Sequence, residues 1–132
     1  MITKHLRRTA AATATAALTI GGLMLQTGIA SAGTTVITLR NTGHGVGVYT
    51  EPNGTSAKWR GVADLSYQDG DYIRADCWTV GQSIGNQGDV WYATSEVDYG
   101  ATDSDTGFNP DAWTFAPYVD GAAAFHNGLP RC

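Results

Sequence analysis

Tyr72-Ile73-Arg74-Ala75-Asp76-Cys77-Trp78-Thr79 alternates apolar and polar side chains, and this eight-residue run decides the fold class of the chain. Successive side chains of a strand point to opposite faces, so Ile73, Ala75 and Cys77 fall on one side and Tyr72, Arg74, Asp76 and Trp78 on the other. The first set is small and apolar and is expected to face a core. The second mixes rings with charge and is expected to form an exposed recognition surface; the plainer alternative folds Trp78 over the rim of the core. Turn dipeptides bracket this strand and recur around it: Pro52-Asn53-Gly54, Gln68-Asp69-Gly70, Asn86-Gln87-Gly88 and Asn127-Gly128.

Outward from that strand, further β-prone runs lie between the turns. Val36 to Arg40, Val46 to Thr50, Val90 to Val97 and a last short piece from Trp113 to Phe115 read as strands, with a turn near Pro117. Two stretches read as long loops. Glu51 to Gln68 is rich in Pro, Asn, Gly and Ser and carries a Trp59 that wants a packing partner. Tyr99 to Ala112 is rich in Asp, Gly and Thr. Helix signals are nearly absent after residue 32. Short strands with regular turns make the chain all-β, a sandwich or a barrel.

The first 32 residues read differently. Lys4, Arg7 and Arg8 make a basic start, residues 9–25 are apolar, and Ala30-Ser31-Ala32 is an A-x-A cleavage site. That is the pattern of a secretory signal peptide, with the mature chain starting at Gly33. Thr13, Thr15, Thr19 and Gly21-Gly22 make the segment a poor membrane span. The expected organisation is a signal peptide over 1–32 and one domain over 33–132, and the expected location is secreted, with cell-wall association included.

All twelve Asp and Glu but only five of the eight Lys and Arg lie after residue 32, so the exported part carries a net charge of −7. Such a surface argues against nucleic acid, whose phosphates need cations, and against docking on anionic lipid. The only two cysteines, Cys77 and Cys132, are expected to form one disulfide in an oxidising compartment. The bridge would close a loop worth about 4 kcal/mol in the chain-entropy model.

Four segments carry a family resemblance. They are Val46-Gly47-Val48-Tyr49-Thr50-Glu51-Pro52, Leu65 through Gln68-Asp69-Gly70-Asp71-Tyr72-Ile73, Val90-Trp91-Tyr92-Ala93, and Trp113-Thr114-Phe115-Ala116-Pro117-Tyr118-Val119. In order and spacing they resemble a bacterial SH3-like (SH3b-type) domain in its secreted actinobacterial form, over about residues 44–120. The Tyr99 to Ala112 stretch is longer than that family's tight turn, Ala112 stands where its closing segment has Gly, and Asp120 to Cys132 is a C-terminal extension. The resemblance implies an SH3-like small barrel of about five or six short strands. It also implies non-catalytic binding of peptides, often peptidoglycan stems.

Several motifs invite chemistry. Gly81-Gln82-Ser83-Ile84-Gly85 fits the G-x-S-x-G nucleophile elbow, with Asp111 or Asp120 and then His126 in the required order. The elbow needs a helix after it on a large α/β sheet; here Asn86-Gln87-Gly88-Asp89 is another turn, so a hairpin loop is expected. His44 and His126 have no ligand spacing for zinc. Asp103-Ser104-Asp105-Thr106-Gly107 starts like a calcium loop, and Asp98 and Asp111 could complete an irregular site, but Thr114 stands where the twelfth-position acid belongs; an acidic solvated loop is expected. Asn53-Gly54-Thr55 fits a glycosylation sequon and reads as a turn.

The rings carry more weight. Four Trp and six Tyr all fall after residue 32. A domain this small cannot fully bury ten such side chains, and exposed Tyr and Trp commonly anchor partners. The candidate ligand-binding residues are Tyr49, Tyr72, Trp78 and Tyr118, with Glu51 and Asp76 as cation partners; Trp91 and Trp113 are assigned to the core. The expected protein is a secreted monomeric module without cofactor, metal or nucleic acid, recognising cell-wall peptide through an aromatic groove. A secreted protein-interaction factor, acting as inhibitor or effector, is the alternative, and a small hydrolase the remote one.

Overall fold

The computed structural model describes residues 33–119 and 126–132; the proposed signal peptide and Asp120 lie outside them. Five strands form one antiparallel sheet: β1 (Thr35–Thr38), β2 (Val48–Tyr49), β3 (Tyr72–Val80), β4 (Val90–Tyr99) and β5 (Ser104–Phe115), in the order β1-β3-β4-β5-β2. Among the described residues, helix is confined to one turn, α1 (Ala116–Val119), and a 3-10 turn at His126–Gly128.

The inner face of the sheet forms the core. Ile37, Ile73, Ala75, Val97, Tyr92 and Val48 are all buried there, and Leu65 joins them from the long connection after β2. Each aliphatic side chain of this size contributes roughly 1.5–3 kcal/mol on burial. Two hydroxyls are also fully buried, Thr94 and Thr114, and they satisfy each other at 2.8 Å, which avoids the cost of an unpaired polar group.

The strand from Tyr72 is where the alternation expected from the sequence breaks. Register shifts fall between Arg74 and Ala75 and between Ala75 and Cys77. Ser95 of β4 and Asp76 of β3 are each left without an opposite residue, and Ser95 Oγ donates to Asp76 Oδ1 at 3.2 Å. A bulge adds one residue to a strand and so reverses the faces beyond it. Past Asp76, Cys77 pairs with outward-facing Ala93, while Trp78 pairs with Tyr92 and packs against the core. The expectation that Cys77 faces the core is therefore corrected, and of the two readings of Trp78 the plainer one holds, a ring packed on the core: the bulge exchanges the two faces.

The stretch 99–112 is not one long loop. Only Gly100 to Asp103 turn; β5 begins at Ser104 and runs for twelve residues. Its pairing with β4 jumps from Gly107 to Ala112, so residues 108–111 form a wide excursion, with a cis bond at Asn109-Pro110. Phe108 turns inward from this excursion, and Trp59 meets it edge-on at 5.1 Å. The Glu51 to Gln68 connection holds no strand, though it folds back on β2 through a bridge at Tyr49–Lys58 and on the chain just before β2 through one at Val46–Leu65.

Two joints hold the loops. Buried Asp71 accepts the Ser66 N–H on Oδ2 (2.8 Å) and the Gly100 N–H on Oδ1 (2.9 Å), tying the 66–71 turn to the β4–β5 turn. Cys77 and Cys132 are disulfide-bonded across a separation of 55 residues. The bridge holds the C-terminal segment along β3, where Trp78 N–H donates to Pro130 O at 3.0 Å and Cys132 N–H to Trp78 O at 2.9 Å.

Candidate functional site

The outer face of the sheet can be read strand by strand, because residues opposite each other in antiparallel pairs share a face. At one end, Thr79, Trp91 and Phe115 lie side by side; next come Cys77, Ala93, Trp113 and Tyr49. The bulge level follows, with Asp76 and Ser95. Beyond it lie Arg74, Glu96 and Gly107, and then Tyr72, Asp98 and Asp105. One face thus grades from aromatic to charged.

The aromatic end is a continuous row. Tyr49 meets Trp91 edge-on at 5.8 Å, Trp91 meets Phe115 at 5.2 Å, Phe115 meets Tyr118 at 5.0 Å, and Tyr118 meets His44 at 4.9 Å. These are the tilted and edge-to-face contacts that rings prefer. Trp91 is fully buried, because the Pro52 loop and the turn after β3 close over it. Its indole N–H donates to Gln82 O at 2.9 Å, and Gln82 N–H donates to Pro52 O at 2.9 Å. Gly81 permits this closure: a Cβ there would sit 2.7 Å from the Trp91 ring and collide with the Pro52 carbonyl. Tyr49, Trp113 and Tyr118 remain half-buried and His44 exposed. The His44 ring is held by Nδ1 donating to Gly45 O at 2.9 Å.

Trp113, assigned from the sequence to the core, lies instead on the outer face beside Tyr49, because Thr114 and Ala112 take the inward positions of β5. Trp91 is buried, though under loops on the outer side rather than in the main core.

The middle of the face is acidic. Asp76 accepts from Thr34 Oγ1 at 2.7 Å as well as from Ser95. Burial first, and then the negative charge of Asp76, push the Asp111 carboxyl above its ordinary range. Asp111 thus stands close enough to Asp76 for the two charges to repel. At the far end, Arg74 Nε lies 2.6 Å from Glu96 Oε1 and 3.3 Å from Asp98 Oδ2, and the guanidinium sits over the Tyr72 ring at 5.6 Å. Tyr72 is therefore occupied by Arg74 rather than bare.

Of the six candidate residues, the row brings Tyr49 and Tyr118 together through Trp91 and Phe115. Asp76 and Tyr72 share the outer face toward its charged end. Trp78 is on the opposite face, with Arg131 over its ring at 5.5 Å. Glu51 is exposed just after β2. Sequence reasoning missed His44, Phe115 and Asp111 as members of this surface. The flexible lead Gly43-His44-Gly45 and the Asn-Pro-Asp excursion hide two of them, since their neighbours are made by tertiary folding.

The tempting motifs resolve as local structure. Ser83 Oγ donates to Gly88 O at 3.3 Å inside the β3–β4 connection, and a turn follows it rather than a helix. Asp105 is a strand residue opposite Asp98, and Asp98 is engaged by Arg74. Among the described residues, no group of three or more His, Cys, Asp or Glu gathers to hold a metal ion. No family model matches the chain, and neither a curated protein nor a solved structure matches it.

Proposed function

We propose that this chain is a secreted, non-catalytic binding module on an SH3-like barrel, and that it lays an extended peptide across the aromatic end of its outer sheet face. Cell-wall peptide is the first ligand. The observation that carries this reading is the five-ring row from Tyr49 to His44, buried at its centre and open at Tyr49, Tyr118 and His44. Half-open rings offer an apolar wall with polar tips, the surface that grooves for extended peptides use.

Three further observations agree with it. The four segments quoted from the sequence resemble the SH3b family, a resemblance that implies binding of peptides, often peptidoglycan stems. The disulfide is compatible with an extracellular location. Asp76 and Asp111, next along the face from Trp113, suit a ligand with free ammonium groups, such as the diamino residues of stem peptides.

Sedimentation with insoluble peptidoglycan tests the proposal. The unaltered protein should co-sediment, Tyr49→Ser should lose at least tenfold in binding while still unfolding cooperatively, and Tyr67→Ser, an exposed ring away from the row, should bind as before. Absence of binding by the unaltered protein sinks the wall ligand. Binding unchanged at high salt removes the ammonium contribution.

One observation favours a protein partner instead: the β4–β5 turn stands out, with residues 101–105 all exposed. Trimming that turn should abolish binding only if a secreted protein is the ligand.

A further inference from the structure

The edge of β3 away from β4 is covered in two pieces. β1 pairs antiparallel with Tyr72 to Ala75, and the C-terminal segment pairs in parallel at Trp78 through Arg131. The second piece is thin. Among the described residues it includes two backbone hydrogen bonds, the Arg131 guanidinium over the Trp78 ring, Asn127 Nδ2 donating to the Tyr92 hydroxyl at 3.0 Å, and the buried Leu129; Pro130, Arg131 and Cys132 are exposed. The sheet does not depend on it, because β3 pairs with β4, and β4 with β5, along their own lengths. A short parallel pairing of this kind is weak by itself. The Cys77–Cys132 bond is its covalent tie to β3.

We infer that the Cys77–Cys132 disulfide is a redox latch: its reduction releases Leu129–Cys132 from the edge of β3 while the five-stranded sheet stays folded. This does not rest on the proposed ligand. The reductant is a dithiol, and its thiolate attacks Cys132 Sγ, since Cys132 is the exposed partner and Cys77 is half-buried on β3. The S–S bond breaks with its electron pair going to Cys77 Sγ, which takes up a proton. The second thiol of the reductant then attacks the mixed disulfide, Cys132 leaves as a thiol, and the reductant ends as its own disulfide. Two electrons and two protons pass from the dithiol to the protein. Released, the segment lifts Arg131 off Trp78 and bares the Trp78 N–H and C=O on the strand edge.

Amide hydrogen exchange on the full chain, oxidised and after dithiothreitol, tests the latch. On reduction, the Trp78 and Cys132 amides should exchange at the rate of an unstructured chain, while the Val97 and Thr114 amides in the centre of the sheet, though sped up by the lower global stability, stay at least about a hundredfold slower than that rate; reoxidation should restore the first pair. Unchanged exchange at Trp78 and Cys132 would overturn the inference, because the segment would then stay docked without its bond. Loss of protection at all four amides together would also overturn it, since the bond would then be a staple of the whole fold.

Discussion

The two halves of β3 follow one local rule and reach opposite outcomes. From Tyr72 to Ala75, inward residues are the small apolar ones, Ile73 and Ala75, and the outward residues are held in an ion cluster around Arg74. From Cys77 to Val80, the inward residue is a large Trp78, and the outward one is a cysteine bound to a distant segment. A single unpaired residue, Asp76, separates them. The first half is held by neighbouring strands on both edges. The second relies on β4 on one edge and on a tethered segment on the other. The lesson is that a bulge changes both the face a side chain takes and the kind of neighbour that must stabilise it.

Breaking the tether should show the largest effect. Cys77→Ser with Cys132→Ser should lower unfolding free energy by about 4 kcal/mol, read as a lower denaturant midpoint; a change under about 1 kcal/mol would mean that the bridge does little to the unfolded chain. Next, Trp78→Ala should cost about 2–3 kcal/mol, and Tyr72→Ala about 1 kcal/mol or less. Paired chemical denaturation curves would compare them, and equal losses would contradict the exchange of faces at Asp76. Third, Gly81→Ala should destabilise by about 1–3 kcal/mol because the Pro52 carbonyl and the Trp91 ring already occupy the space of a side chain. Thermal melts would show it, together with a change in the indole fluorescence.

The smallest effect sharpens the comparison at the bulge itself. The Asp111 carboxyl is raised by burial and by Asp76, so its charged form is disfavoured in the folded state. A raised carboxyl contributes stability that is present below its unfolded value and lost as pH rises through the folded one. Asp111→Asn should therefore raise the melting temperature near neutral pH, and the gap should close as the pH falls through the ordinary carboxylate range. A gap that persists at acid pH would show that the asparagine acts by some means other than charge.

Much of the fold was legible along the chain. Turn dipeptides bounded the strands near Tyr72 and Val90, and the cysteine pair foretold the bridge, because each signal is local or exhaustive: two cysteines allow one pairing. β5 was legible only in its last three residues. Asp105, Gly107, Asn109 and Pro110 have poor strand propensity, and pairing with β4 overrides it at Asp105 and Gly107, on one side of an excursion that accommodates Asn109 and Pro110. The candidate surface was half legible. Tyr49 and Tyr118 stood out as rings, yet their link through Trp91 and Phe115 joins residues far apart in sequence. Trp113 was misplaced because nothing in the order of residues tells which face of β5 turns inward.

By itself, the sequence determined a β-rich domain, its main strand and turn positions, its negative charge and its single disulfide. These follow from propensity, composition and pairing arithmetic, which act over a few residues or over the whole count. Only the tertiary structure decided which rings meet, which face Trp78 and Trp113 take, and that Asp76 and Asp111 repel. Those outcomes depend on register across strands, and one bulged residue, invisible as a pattern, reverses every side chain beyond it.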